Sequence, residues 1–143
     1  MLSVDQIVAY DTSAIYAAFF ERDEGMDYMF YLTRRRCLIG WPTFFELQTV
    51  LTHKTGRNDQ HEFINLLVAQ PNIISVDFTL SHYATAAEAM VQYGKGTGSD
   101  DKANPAKLNF GDCMAYAIAK VAKVPLIFKG DDFIHTDINS NFA

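Results

Sequence analysis

The stretch VDQIVAYDTSAIYAAFFERDE, Val4 to Glu24, sets the fold class. Its first part is β-rich and mostly apolar, as a strand covered on both faces must be, and it stops abruptly at Asp11. Thr12 and Ser13 then offer a cap to a run of helix-forming residues, and Gly25 is expected to break that helix. A buried strand running straight into a helix is the opening of a parallel crossover. One carboxylate stands at the junction.

The alternation continues along the chain. MDYMFYLTRRR (26–36) reads as a helix and CLIG (37–40) as a buried strand. In WPTFFELQTVLTHK (41–54), Pro42 near the first helical position and the Thr43-to-Glu46 spacing suggest a capping box opening an amphipathic helix. NDQHEFINLLVAQ (58–70) is a further helix with Phe63, Leu66 and Leu67 on one side, ended by Pro71. NIISVDF (72–78) reads as a strand, and TLSHYATAAEAMVQYG (79–94) as a long helix closed by Gly94. The Gly-, Ser- and Asp-rich segment 95–107 is a loop, LNFGDCMAYAIAK (108–120) a helix and VPLIF (124–128) a buried strand. The expectation is a single domain over 1–143 of the α/β class, with a central parallel sheet flanked by helices on both faces.

Composition narrows the function classes. At 143 residues, with 49% hydrophobic and 20% charged residues, the chain has the make-up of a globular domain. No run reaches the roughly 20 apolar residues that span a bilayer, and the N-terminus lacks the basic and cleavage-site features of a signal peptide. No membrane association and a cytoplasmic setting are the expectations. A net charge of −5 argues against nucleic-acid binding over most of the surface, but not against a local basic rim. Cys37 and Cys113 read as reduced packing residues, and the four histidines show no zinc spacing.

The acids fall on one edge of the expected sheet. Asp11 ends the first strand, Glu46 and Asp112 sit in first turns of helices, and Asp131 and Asp132 follow the last strand. In an open α/β sheet, strand C-termini and the helix N-termini after them share the ligand-binding edge. Each acid alone has a structural reading: Asp11 could cap the helix after it, Asp112, three residues after Asn109, could serve a capping pattern, and a first-turn carboxylate gains roughly 0.3–1 kcal/mol from the helix dipole. Together they would repel one another unless a cation sat among them, and carboxylates with water suit Mg²⁺ or Mn²⁺. Neither a phosphate-binding glycine motif nor a G-x-S-x-G elbow competes with that reading.

DTSAI, FFELQTVL, LNFGDCMAYAIAK and PLIFKGDDFIHTDI together resemble the PIN-domain ribonucleases, and most of all the VapC-type toxins of bacterial toxin–antitoxin pairs. The resemblance runs from Val8 to about Ile138. It implies a metal-dependent endoribonuclease with Asp11, Glu46, Asp112 and Asp131 as catalytic, Mg²⁺- or Mn²⁺-holding acids. Asp131 is preferred to Asp132 as nearer the strand end, while Asp132, Thr12 and Ser13 take supporting places. It also implies an RNA substrate, a cognate antitoxin protein and a homodimer. Arg34, Arg35, Arg36, Arg57, Lys95, Lys102 and Lys107 are candidate RNA guides, and Trp41 and Tyr93 candidate base-stacking residues. The alternatives are a catalytically silent PIN-like binding module and a metal-dependent phosphatase, though the D-x-D spacing of the latter is absent at DTS.

Overall fold

The computed structural model describes residues 6–95 and 106–138. Strand β1 (Val8–Tyr10) leads into helices α1 (Thr12–Phe20) and α2 (Arg22–Arg34). Strand β2 (Cys37–Gly40) is followed by α3 (Trp41–Thr55) and α4 (Gln60–Val68), and β3 (Ile73–Val76) by α5 (Leu80–Tyr93) and α6 (Phe110–Ala122). Strand β4 (Leu126–Ile127) closes the series. The four strands form one parallel sheet in the order β3-β2-β1-β4.

Side chains alternate across this sheet, as strand geometry requires. Val8, Tyr10, Cys37, Ile39 and Ile127 join one core with residues of α1 to α4. Ala9 and Leu126 point the other way, into a second core with α5 and α6. The expected α/β architecture, a parallel sheet covered on both faces, is what the chain adopts.

Sheet order places the working edge. The chain steps outward from β1 to β2 to β3, then returns to lay β4 on the other side of β1. Connections after β1 and after β4 therefore diverge, and the crevice at such a switch point is where open α/β sheets bind ligands. Asp11 leaves β1 there, its amide donating to the Ile127 carbonyl at 2.9 Å.

Three local expectations are corrected. Gly25 lies inside α2, and the break falls earlier, at Glu21, whose extended backbone ends α1. A Cβ at Gly25 would stand 2.1 Å from the Ala17 carbonyl oxygen, so the missing side chain lets α1 and α2 pack closely. Thr43 and Glu46 form no capping box: α3 starts earlier, with Gly40 at its N-cap, and Thr43 is buried in the first turn. Leu66 is 68% exposed, whereas Ile64 and Leu67 carry the buried side of α4. The capping box anticipated around Asn109 and Asp112 is present. Most of the 95–107 loop, with Lys102, lies outside the described residues.

Candidate active site

Asp11 is held by the turn it creates. It is the N-cap of α1, and its Oδ2 accepts from the Ser13 amide at 3.1 Å and the Ser13 hydroxyl at 2.6 Å. Ser13 Oγ in turn accepts from the Lys129 amide at 3.0 Å, tying the start of α1 to the segment after β4. The other carboxylate oxygen, Asp11 Oδ1, is buried with no hydrogen-bond partner among the described residues. Unsatisfied buried oxygens are costly, so this one is a vacant acceptor in search of a donor or a cation.

Glu46 reaches the same place from α3. Its carboxylate accepts from the Thr12 hydroxyl. It also lies against Gly111, where a Cβ would stand 1.8 Å from Glu46 Oε2. A side chain at 111 would expel the carboxylate. Freed from the capping box expected of it, Glu46 joins the first turns of α1 and α6.

Asp112 does two jobs. Its Oδ2 accepts from the Asn109 amide at 3.0 Å, and its own amide donates to Asn109 Oδ1 at 2.8 Å. Its carboxylate also lines a cleft of about 420 Å³ with Asp11, Glu46 and Asp132. Asp131 is exposed and does not line that cleft. Asp132, the next residue and also exposed, is the one of the pair that lines it, beyond a β4 only two residues long.

The electrostatics record the crowding. Burial pushes the Asp11 carboxyl up to about 6 against the pull of the Ser13 hydrogen bonds, and the Glu46 charge adds to the rise. Burial pushes Asp112 up to about 7, opposed by the Asn109 amide and reinforced by the charges of Asp11, Asp132 and Glu46. Both shifts mean that anionic carboxylates there want a counter-charge. Among the described residues, no three His, Cys, Asp or Glu side chains stand close enough to make a ready-made metal cage. The donor set still fits a hard divalent ion that keeps several waters: carboxylates, mutual repulsion and the unpartnered Asp11 Oδ1.

Other side chains sort clearly. Cys113 is buried and its thiol is pushed up to about 11, which leaves it protonated and inert at neutral pH. Arg34 lies over the Phe30 ring, buried Arg35 over Tyr31, and Arg57 pairs with Asp59. Arg34, Arg35 and Arg36 precede β2 and so sit at the sheet edge opposite the acids. Tyr93 is buried beside Tyr116, and Trp41 is tilted on Phe44. Sequence reasoning missed Gly111, Tyr16 and Lys54. Helical spacing was the available signal for the last two, at four residues after Thr12 and eight after Glu46.

A family model described as PIN domain matches residues 8–139. The chain belongs to the PIN-domain family. This PIN domain is 53% identical over 97 residues to VapC ribonuclease Mb2780c of Mycobacterium bovis, covering 68% of this chain and 70% of that protein. The same figures hold for Ribonuclease VapC42 of Mycobacterium tuberculosis. Within the family, it is of the VapC type. Its fold matches the crystal structure of Mycobacterium tuberculosis VapC20, a Sarcin-Ricin loop cleaving toxin, with a TM-score of 0.71 at 12% identity, over 92% of this chain and 96% of that one. VapBC2 from Rickettsia felis, bound to a promoter DNA fragment, matches with a TM-score of 0.66 at 12% identity, over 95% and 98% of the chains. Among the described residues, no helix of the PIN domain is long and apolar enough to cross a membrane.

Proposed function

We propose that this PIN domain is a Mg²⁺- or Mn²⁺-dependent endoribonuclease, the toxin of a type II toxin–antitoxin pair, with Asp11, Glu46, Asp112 and Asp132 as its metal-holding acids. The observation that carries the reading is a vacant, buried Asp11 Oδ1 in a cleft also lined by Glu46, Asp112 and Asp132, acids from separate segments of the chain. The 53% identity to VapC ribonucleases supplies the substrate class. Asp132 replaces Asp131 in the set because it lines the cleft and bears on Asp112.

A divalent ion bound there supplies Lewis acidity toward a phosphodiester and lowers the pKa of a bound water. The chain's own contribution is positioning. Ser13 fixes the rotamer of Asp11, Thr12 and the bare Cα of Gly111 fix Glu46, and the Asn109 backbone fixes Asp112. Asp11 and Asp112 sit at helix N-termini, where the dipole favours the anionic form, while Glu46 lies beyond the first turn of α3 and Asp132 outside any helix.

Antitoxin binding and a homodimer belong to the same proposal. Their support is an apolar face spread over α1, α2 and α4, with Phe19, Phe20, Met26, Phe30 and Leu66 all exposed. Exposed apolar surface of this kind marks a protein partner. The decisive experiment is cleavage of single-stranded RNA by the purified protein with Mg²⁺, Mn²⁺ or EDTA. Metal-dependent cuts abolished by Asp11→Asn support the reading, and full activity of that variant overturns the ligand assignment. A strictly monomeric mass at micromolar concentration overturns the dimer.

A further inference from the structure

Helices α1 and α3 run from the acids to a second polar pair. At the acid end the Thr12 hydroxyl donates to Glu46. One turn along α1 stands Tyr16, about 6 Å on, and two turns along α3 stands Lys54, about 12 Å on. The Lys54 ammonium lies 5.8 Å from the centre of the Tyr16 ring. Both residues line the same cleft as Asp11, Glu46 and Asp112.

The two cleft lysines differ. Lys129 is neutralised by Glu21 and Glu24, which hold its pKa above the ordinary range. Lys54 makes no ion pair among the described residues and is exposed. An exposed ammonium with no ion pair among the described residues is available to an anionic ligand, and as it moves onto one it uncovers the face of the half-buried Tyr16 ring that it now lies over. Phosphate and base are the two parts of a nucleotide, and these two side chains answer one each.

Resting on the ribonuclease reading above, we propose that Tyr16 and Lys54 form a subsite for single-stranded RNA flanking the scissile phosphate, Lys54 binding a backbone phosphate and Tyr16 stacking on a base. At the roughly 3.4 Å rise of a stacked strand, the 6–12 Å offset spans about two to four nucleotides. Neither side chain reaches the acids, so both are positioning residues. They act on where the strand lies and not on bond breaking.

The test uses the full chain with a labelled single-stranded RNA oligonucleotide. Cleavage by the wild-type protein in Mg²⁺ checks the ribonuclease reading separately, and equilibrium binding in EDTA checks the subsite whether or not cleavage occurs. Lys54→Gln should weaken binding and raise KM with kcat unchanged, and Lys54→Arg should restore both. One lost phosphate contact flattens the salt dependence by about 0.7 in log–log slope, so fourfold more salt weakens the variant roughly two- to threefold less than wild type. Tyr16→Leu keeps the packing against Phe20 but removes the aromatic face. An oligonucleotide with one abasic position in the flanking segment should bind wild type about tenfold less well than its parent, and Tyr16→Leu equally well. An unchanged salt slope in Lys54→Gln, or an abasic loss that persists in Tyr16→Leu, overturns the subsite. So does a change of oligomeric mass in either variant, because it makes this face a protein contact.

Discussion

Helices α5 and α6 open with the same device and use it differently. In α5 the Thr79 amide donates to His82 Nδ1 at 2.9 Å, and the imidazole stacks on Phe78. In α6 the Asn109 amide donates to Asp112 at 3.0 Å, and the carboxylate faces Asp11, Asp132 and Glu46. Both side chains are third in their helix and buried. Burial lowers the pKa of His82 and raises that of Asp112, so each is pushed toward its neutral form. Only Asp112 has other charged groups pushing with the burial. A cap is therefore recognised by its own helix, but a site is recognised by what the cap faces.

The largest expected effect separates the two caps by activity. Asp112→Asn keeps an oxygen to accept from Asn109 yet loses a metal-holding charge, so RNA cleavage should fall by about 100-fold or more. His82→Ala should cut RNA at the wild-type rate while losing about 1–2 kcal/mol of stability with its cap and ring contact. Gel-resolved initial rates beside thermal melts check both. Equal activity losses would erase the distinction.

Gly111 gives the next effect. Gly111→Ala drives a Cβ into the space of the Glu46 carboxylate, 1.8 Å from Oε2. Glu46 must swing away from Thr12, and cleavage should drop about 10- to 100-fold, as for loss of a positioning group. Melting should stay cooperative, because Glu46 is only half-buried and can turn outward. Wild-type rates in this variant would remove Glu46 from the ligand set.

That residue also shows what a sequence reading can hold. The strand–helix alternation, the acid ending β1 and the Asn109–Asp112 box were legible because each is local, written in periodicity or in a spacing of three. The Thr43–Glu46 pattern was just as local and was misleading, since α3 begins at Trp41 under a Gly40 cap. Pattern alone cannot tell an N-cap threonine from a buried first-turn one. The choice between Asp131 and Asp132 depends on a turn that carries no period. Gly111 beneath Glu46, and Lys54 over Tyr16, are contacts between segments far apart in the chain, which only the α3–α6 and α1–α3 packing brings together.

A smaller effect is thermodynamic, and its sign differs between the two caps. Asp112 titrates near 3.8 when unfolded and about 7 when folded, so its contribution to stability is fully present below pH 4 and lost as pH rises toward 7. His82 is lowered from 6.5, so its contribution is present above that pH and lost as pH falls through it. In EDTA at pH 8, Asp112→Asn should therefore melt about 3–5 °C above wild type, and the gap should close on acidification to pH 5. Mg²⁺ should raise the wild-type melting temperature at pH 8 and leave Asp112→Asn unmoved. Calorimetry across pH 5–8 reads all of this, and a gap that widens toward pH 5 would refute the raised carboxyl.

The smallest effect isolates the cap from the charge. Asn109→Ala removes the acceptor for the Asp112 amide but keeps the Asn109 backbone donor to the carboxylate. Thr79→Ala removes the hydroxyl within hydrogen-bond distance of His82 Nδ1 and keeps the backbone donor there too. Each should cost about 1 kcal/mol, the usual worth of an N-cap side chain. Their effects on cleavage should differ. A frayed first turn of α6 loosens the residue that places Asp112 against Asp11, while a frayed α5 loosens nothing in the cleft. Asn109→Ala should lower kcat about two- to fivefold at saturating metal, a penalty well below that of losing a ligand or a positioning group outright. Thr79→Ala at matched stability should leave kcat unchanged. If the two caps lower kcat equally, the loss reflects general destabilisation, and the Asn109–Asp112 box adds nothing to the site beyond starting a helix.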